Sequence, residues 1–341
     1  MYYREHMRSL RQELEAAGAF EMRESLIWTK VAILCALLVA FFAAHLLLPL
    51  WASVLLIPFT ALATAGISMV GHEGSHRSAC RTARRNDVLH WVTFPLFSGI
   101  SALYWTHKHN VMHHGHPNTV GMDPDIGIWP LALCRKDHER SGPVRRFIQR
   151  HMQGALFWPI SFFLVYEMRV EGVRHVIARA KKTGVDGHIV ADVAGMLLHY
   201  VIWLVLPALV LPLWPLVGFY LAIWAFEGFY LAAIFVPAHM GLPIVDKSDD
   251  LMLLTLKTGR NFHVPKLVSW WMVGLDCQIE HHLFPKITDS ALHIARPIVR
   301  DFARRHGLPY HEASFPVCIA DATRFFARAW SEDPVDVVAP T

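Results

Sequence analysis

Charged residues are scarce in this chain. Aspartate, glutamate, lysine and arginine make up 18% of its 341 residues, whereas a soluble globular domain carries about a quarter. Hydrophobic residues reach 54%, and charges are almost absent from four long stretches. This shortage argues against an ordinary soluble domain and favours a membrane protein.

Motifs that would support several other classes of protein are also missing. The five cysteines form no C-x-x-C motif, so we expect reduced thiols and no disulfide framework. There is no G-x-G-x-x-G nucleotide-binding motif and no internal repeat. Basic residues beside a membrane account for the net charge of +4, and we therefore predict no nucleic-acid partner. Residues 1–18 lack a signal-peptide pattern and predict a short helix that ends at Gly18.

Four apolar stretches are each long enough to cross a bilayer, which takes about 20 residues. They cover residues 25–50, 51–71, 189–214 and 216–238. Almost no loop separates the partners of each pair, so we predict two transmembrane hairpins. Two shorter runs, 88–105 and 154–166, are expected to be interfacial or re-entrant.

The distribution of lysine and arginine predicts the orientation. Neither hairpin tip carries one, whereas the N-terminal segment, the central loop and the C-terminal region carry all of them. Basic loops stay in the cytoplasm. We therefore predict that both termini and the central loop lie on the cytoplasmic side.

Histidine is abundant, with 22 residues, and many of them cluster where the predicted spans meet the cytoplasm. The candidate metal ligands are His72, His76, His109, His113, His114, His239, His281 and His282, with Gln278 three residues before His281. Residues four apart on a helix lie on one face, about 6 Å apart. His72 and His76 are such a pair, and so are His109 and His113. One zinc ion takes three or four protein ligands. At least eight imidazoles therefore favour two metal ions.

The first cluster also permits a different interpretation. Residues 72–76 read H-E-G-S-H, which matches the H-E-x-x-H motif of zinc metalloproteases, with Glu73 as the general base. An intramembrane zinc protease would take a further ligand from a residue such as Asp276. This interpretation leaves the later clusters without a role, and it remains the less favoured alternative.

Together the clusters resemble the three histidine boxes of the membrane fatty acid desaturases. The first box, H-x-x-x-H, is similar to residues 72–76, and the second, H-x(2–3)-H-H, to residues 109–114. The third, in its glutamine form Q-x-x-H-H, is similar to residues 278–282. The string "QIEHHLFP" resembles the front-end and related acyl-lipid desaturases. The resemblance covers roughly residues 10–310.

The resemblance implies an all-α integral membrane protein, with four transmembrane helices in two hairpins and a cytosolic helical cap that holds a di-iron site. The desaturase domain would cover residues 25–310, between a cytosolic N-terminal helix at 1–24 and a cytosolic C-terminal tail at 311–341. The family's iron ligands fall on the seven histidines of the boxes, with His239 as a further match. Gln278 stands where many relatives have a ligating histidine. Phe235 replaces an asparagine found in some relatives, Asn261 is a candidate substitute, and the ninth ligand stays open.

The implied reaction introduces a C=C bond into an acyl chain with O₂ as co-substrate and two electrons. The chain shows no heme-binding H-P-G-G motif, so we expect a separate electron donor such as ferredoxin or cytochrome b5. The implied partners are membrane lipid and an acyl substrate carried as acyl-lipid, acyl-CoA or acyl carrier protein. A hydroxylase or acetylenase on the same scaffold and a non-catalytic lipid receptor remain alternatives.

Several acidic residues are predicted to have specific partners. Asp123, Asp125 and Glu280 are expected to bind the outer nitrogens of ligating histidines. Glu227 lies deep in a predicted span, where a charge costs at least about 2.5 kcal/mol and usually has a partner. Its depth along the second hairpin predicts His199 as that partner.

Overall fold

The chain is almost entirely helical in the computed structural model, which describes residues 4–338. The helices are Arg4–Ala16 (α1), Glu24–Leu47 (α2), Leu50–Ser75 (α3), Ala83–Trp91 (α4), Ala102–Trp105 (α5), Arg135–Glu139 (α6), Pro143–His151 (α7), Gln153–Ser161 (α8), Leu164–Thr183 (α9), Gly187–Tyr200 (α10), Leu206–Ala208 (α11), Leu213–His239 (α12), Leu251–Thr258 (α13), Lys266–Trp271 (α14), Gln278–Leu283 (α15), Asp289–Arg305 (α16) and Phe315–Arg328 (α17). Segments Val92–Ser98, Thr106–His113 and Val201–Val205 are π-helical, and Pro124–Ile126 and Ala329–Ser331 are 3-10 turns.

Four short strands complete the regular structure. They are Val245–Ser248 (β1), Arg260–His263 (β2), His311–Ser314 (β3) and Val335–Val337 (β4). β1 pairs with β4 and β2 with β3, both in parallel. The pair of β2 and β3 lies beside α15, because Asn261 of β2 accepts a hydrogen bond from the backbone nitrogen of Ile279 in that helix.

Four helices are long and apolar enough to cross a membrane. They are Glu24–Leu47, Leu50–Ser75, Gly187–Ala208 and Leu213–His239. The prediction of a helical protein with four long apolar helices is therefore confirmed. Neither shorter apolar run, 88–105 or 154–166, forms such a helix in the described chain.

The short connection in the first hairpin follows from one proline. α2 ends at Leu47, and Pro49 immediately precedes α3 with a φ of −62°. A proline cannot donate a backbone hydrogen bond, and its fixed φ suits the residues at the start of a helix. The chain therefore turns back within two residues.

The structure divides into two compact units. The long-helix unit comprises residues 22–107 and 160–232, and the histidine-rich unit comprises 4–21, 108–159 and 233–338 of the described chain. In the histidine-rich unit, Leu10 and Leu14 of α1 pack in one core with Ile279 of α15 and Phe302 of α16. This core covers α15, which is buried along its whole length.

In the long-helix unit, a glycine lets α4 pack directly against the end of α3. A Cβ atom added to Gly74 would lie 3.0 Å from the backbone nitrogen of His90 and 3.1 Å from the carbonyl oxygen of Asn86. The Asn86 side chain accepts from the backbone N–H groups of Ala79 and Cys80. These contacts hold the loop that follows the first histidine pair.

A buried polar network crosses the same unit. Arg169 donates to the carbonyl oxygen of Ser98 at 2.8 and 2.9 Å and to the hydroxyl of Tyr220 at 2.7 Å. The two ring nitrogens of His199 contact the Phe97 carbonyl oxygen at 2.7 Å and the same Tyr220 hydroxyl at 2.8 Å. Both nitrogens of His199 are therefore occupied.

The predicted pair of Glu227 and His199 is wrong. Glu227 accepts a hydrogen bond at 2.8 Å from Ser68 of α3. Depth along the two spans predicted the pairing, but the rotation of each helix about its axis turns Glu227 towards α3 instead. Glu227 is still fully buried, as a polar group inside an apolar span is expected to be.

Candidate metal centre

Three buried histidines of the histidine-rich unit form one compact group. His113 ends the π-helical segment, His239 ends α12, and His282 lies in α15. One nitrogen from each ring can be chosen so that all three lie within 4.8 Å of one another. The ring centroids are 4.8 to 4.9 Å apart. Three separate elements thus bring three imidazoles to one point.

Hydrogen bonds orient two of these rings. Nδ1 of His113 lies 3.0 and 3.1 Å from the two carboxylate oxygens of Asp123, and Nδ1 of His239 lies 3.0 Å from the carbonyl oxygen of Thr258. An Nδ1–H that donates to oxygen leaves the Nε2 lone pair as an acceptor, which can bind a metal. In His239 this lone pair faces Nε2 of Gln278 at 3.0 Å, so the Gln278 amide must turn before a metal binds there. The expected contact of Asp123 with the outer nitrogen of His113 is present, and the metal-binding role of His113 stays a prediction.

The surroundings of His113 are strongly acidic. Burial lowers the pKa of His113, but Asp123 and Asp125 outweigh that effect and raise the pKa above its usual value. Asp125 lies 3.4 Å from Nδ1 of His113 and pairs with Lys108 at 2.5 Å. Asp125 therefore also lies beside the outer nitrogen of His113, as expected. A carboxylate next to a ligating imidazole makes the ring a more basic ligand.

Gln278 lies in the same group. Its Nε2 is 3.0 Å from Nε2 of His239. Its Oε1 is buried and has no hydrogen-bond partner within residues 4–338. A buried acceptor without a donor costs about 1 to 3 kcal/mol, and a cation, or a water bound to one, would remove that cost. The residue thus fits a metal site better than a closed apolar core.

A second group in the unit contains His109, His114 and His281. One nitrogen from each lies within 4.8 Å of the others. Nε2 of His114 lies 3.2 Å from Nε2 of His109. Burial, followed by the nearby His113, lowers the pKa of His281 to about 3. A neutral imidazole is the form that binds metal.

The π-helical winding explains how His109 meets His114. The spacing of four predicted that His109 and His113 share a face, and their rings do stack with centroids 5.4 Å apart. In a π-helix the hydrogen bonds join residues five apart. His114, five residues after His109, therefore comes closer, with centroids 4.7 Å apart.

The long-helix unit contains the first histidine pair, His72 and His76. Both are buried in the last turn of α3 and its cap, and their ring centroids are 4.8 Å apart, as the spacing of four predicts. Glu73 lies between them in the sequence, and its carboxylate accepts a hydrogen bond at 3.1 Å from Ser78.

Glu280 has a different role from the one expected. Its two carboxylate oxygens accept hydrogen bonds, both at 2.8 Å, from the hydroxyl of Tyr310 and from Nδ2 of Asn261. Burial raises its pKa to about 7 despite these bonds. Glu280 thus connects α15 to Asn261 and Tyr310 and does not orient an imidazole ring.

Asn261 is not available as the ninth ligand. Its Oδ1 accepts from the backbone nitrogen of Ile279 at 3.0 Å, and its Nδ2 donates to Glu280 and Tyr310. All of its polar atoms therefore hold the start of α15. No sequence motif pointed to this clamp, or to the Thr258 carbonyl beside His239, because each is a contact between distant segments.

Comparisons with known proteins find similarity to fatty acid desaturases. The family model described as "Fatty acid desaturase" matches residues 49–314. An "Acyl-lipid (9-3)-desaturase" of Physcomitrium patens is 26% identical over 292 residues, which cover 81% of this chain and 54% of that protein. An "Acyl-lipid (8-3)-desaturase" of Thraustochytrium sp is 25% identical over 342 residues, covering 95% and 73%.

A human "Fatty acid desaturase 3" is 24% identical over 332 residues, covering 95% of this chain and 72% of that protein. The chain spans about half the length of the moss relative and of a nematode "Delta(5) fatty acid desaturase fat-4". The family model covers well over half of the chain. The chain therefore belongs to the fatty acid desaturase family, whose members are O₂-dependent oxidoreductases.

Proposed function

We propose that this protein is a membrane-bound fatty acyl desaturase. One O₂, two electrons and two protons would convert a saturated pair of methylenes into a C=C bond, with release of two waters. The observation that carries the proposal is the presence of two buried histidine groups within one unit, each with ligand atoms within 4.8 Å. Family membership supplies the type of reaction.

The proposed metal is iron, as a pair of ions. The proposed ligands are the nine side chains that the motifs predict: His72, His76, His109, His113, His114, His239, Gln278, His281 and His282. Neutral imidazole suits iron as well as zinc, so the number of ligands and the family favour iron. Gln278 is proposed as a weak oxygen ligand or as the holder of a water.

The residues of the chain prepare the site for this chemistry. A bound pair of reduced iron ions would supply, with O₂, the oxidising power to remove hydrogen from an unactivated methylene. Asp123 and the Thr258 carbonyl hold the tautomers of His113 and His239. Asn261 and Tyr310 hold α15 in place through Glu280. Burial of the imidazoles keeps bulk water away from them, which protects a strong oxidant from side reactions.

The partners and the orientation follow from charge and from the relatives. We propose that the termini and the metal site lie in the cytoplasm. The segments that contain them carry the lysines and arginines, and basic segments next to a membrane stay in the cytoplasm. Electrons would come from a separate carrier such as ferredoxin or cytochrome b5. Two of the relatives are named acyl-lipid desaturases, which favours a lipid-bound acyl chain over acyl-CoA or acyl carrier protein.

The geometry does not support a zinc protease. That alternative would take its further metal ligand from a residue such as Asp276. In the structure its carboxylate accepts from Ser269 at 2.5 Å and lies 3.6 Å from the guanidinium of Arg296. A carboxylate engaged in this way is not presented to a metal.

The experiment is expression in a host that makes few unsaturated fatty acids, followed by analysis of total fatty acids and of metal in the purified protein. We expect a new double bond and two iron ions per chain, and His282→Ala should lose both while it still inserts into the membrane. A hydroxylated product would favour the hydroxylase alternative. One zinc ion with no iron would exclude the proposal.

A further inference from the structure

The start of α2 and the start of α4 line an open cavity at the surface of the long-helix unit. Its volume is about 1270 Å³, and four arginines line it: Arg23, Arg81, Arg84 and Arg85. Glu24 is the acidic residue of the lining. The cavity contains none of the residues assigned to the metal site.

In the part of the chain that the structure describes, one of the four guanidinium groups has an acidic partner. Glu24 pairs with Nη1 of Arg85 at 2.8 Å and also accepts from the backbone nitrogen of Arg81 at 3.1 Å. Within residues 4–338, the guanidinium groups of Arg23, Arg81 and Arg84 make no ion pair or hydrogen bond. Three arginines without an acidic partner in the described chain thus line one cavity, and a bidentate anion would relieve the repulsion between their charges. Phosphate suits guanidinium groups because it accepts two parallel hydrogen bonds from each.

The apolar part of the lining indicates what the anion is attached to. Leu26, Trp28 and Val88 line the same cavity and are 43% to 53% exposed. Leu26 and Trp28 belong to the first turns of α2, which is long and apolar enough to span a membrane. Arginine and tryptophan at the end of a span lie at the level of lipid headgroups. The ligand should therefore carry a phosphate at that level and a hydrocarbon body beside it.

The geometry points to a binding site for the phosphate headgroup of an anionic membrane glycerophospholipid. The guanidinium groups of Arg23, Arg81 and Arg84 bind the headgroup, and Leu26, Trp28 and Val88 contact its acyl chains. Glu24 holds Arg85 and the backbone at Arg81, so that the site is formed before the lipid arrives. This inference does not depend on the proposed reaction.

The site also has a physical link to the first histidine pair. The face of α4 that carries Arg84 and Val88 is exposed, whereas Asn86 and His90 face α3 at Gly74. A lipid that bridges the start of α2 and the outer face of α4 would restrain α4, which packs on the end of α3. Bound lipid should accordingly raise the thermal stability of the protein.

The test uses the full-length protein in neutral detergent with added phospholipid. Mixed micelles that contain phosphatidylglycerol, which is anionic, should raise the Tm of the unchanged protein more than micelles that contain phosphatidylcholine, which is zwitterionic. The double variant Arg81→Gln/Arg84→Gln removes two exposed guanidinium groups. It should bind phosphatidylglycerol about 30-fold more weakly, since each arginine near such a surface contributes about 1 kcal/mol.

The control is Arg4→Gln/Arg8→Gln, which removes the same charge from the exposed face of α1 and should bind like the unchanged protein. High salt should weaken binding to the unchanged protein, because screening reduces attraction between exposed charges. Equal affinity of the cavity variant and the unchanged protein would overturn the proposal. Equal effects of the two lipids, or a larger effect of soluble coenzyme A than of phosphatidylglycerol, would exclude an anionic lipid as the occupant.

Discussion

Replacing Asp123 by asparagine alters one side chain that has three partners at the candidate metal centre. Its Oδ1 accepts from the backbone nitrogen of Asp125 at 2.9 Å and its Oδ2 from that of Asn118 at 2.7 Å. Both oxygens also lie within 3.1 Å of Nδ1 of His113. An asparagine keeps the shape but replaces one acceptor by an NH₂ donor, so one of these backbone N–H groups loses its partner in either orientation.

Two separate losses set the size of the effect. A buried N–H group left without an acceptor costs about 1 to 3 kcal/mol of stability. Loss of the carboxylate beside a ligating imidazole weakens metal binding by about 10- to 100-fold, which is about 1.4 to 2.7 kcal/mol. If the new NH₂ group faces His113, the ring must accept at Nδ1 and carry its proton on Nε2. The lone pair intended for the metal is then lost.

The assay measures iron and stability on the same samples. Bound iron is determined for the unchanged protein and for Asp123→Asn during titration with an iron chelator, and Tm is measured in parallel. Asp301→Asn is the control, because Asp301 is 54% exposed and pairs only across the surface of α16 with Arg304, which contributes less than about 1 kcal/mol. Iron affinity within twofold of the unchanged protein in Asp123→Asn would refute the assigned role of Asp123.

Three further predictions concern single side chains. Gln278→His should retain iron and Gln278→Ala should lose part of it, since only the former keeps a ligand atom; equal iron content in both would contradict a metal role. Tyr310→Phe should lower the free energy of unfolding by about 1 to 3 kcal/mol, because buried Glu280 loses a donor; an unchanged Tm would show that the bond contributes nothing. Glu73→Gln should retain desaturase activity, measured by fatty acid profiling, because Glu73 is not a proposed ligand; complete loss would show that the reaction requires the Glu73 carboxylate.

The sequence alone was sufficient to predict the long apolar helices and which neighbouring histidines share a helix face. Both depend on neighbours along the chain: about 20 apolar residues span a bilayer whatever the rest of the protein does. The spacing of His72 and His76 puts them on one face of any helix. The proline between the first two spans likewise sets a short turn by its own geometry.

Contacts between distant segments could be identified only from the tertiary structure. Glu227 meets Ser68 and not His199 because helix packing sets the rotation of each span, and residues at equal depth can point in different directions. Asn261 holds α15 and is not presented to a metal because β2 runs beside that helix. The pattern of apolar residues constrains which face of a helix is buried, but several rotations bury nearly the same apolar area, and only the packed side chains choose among them.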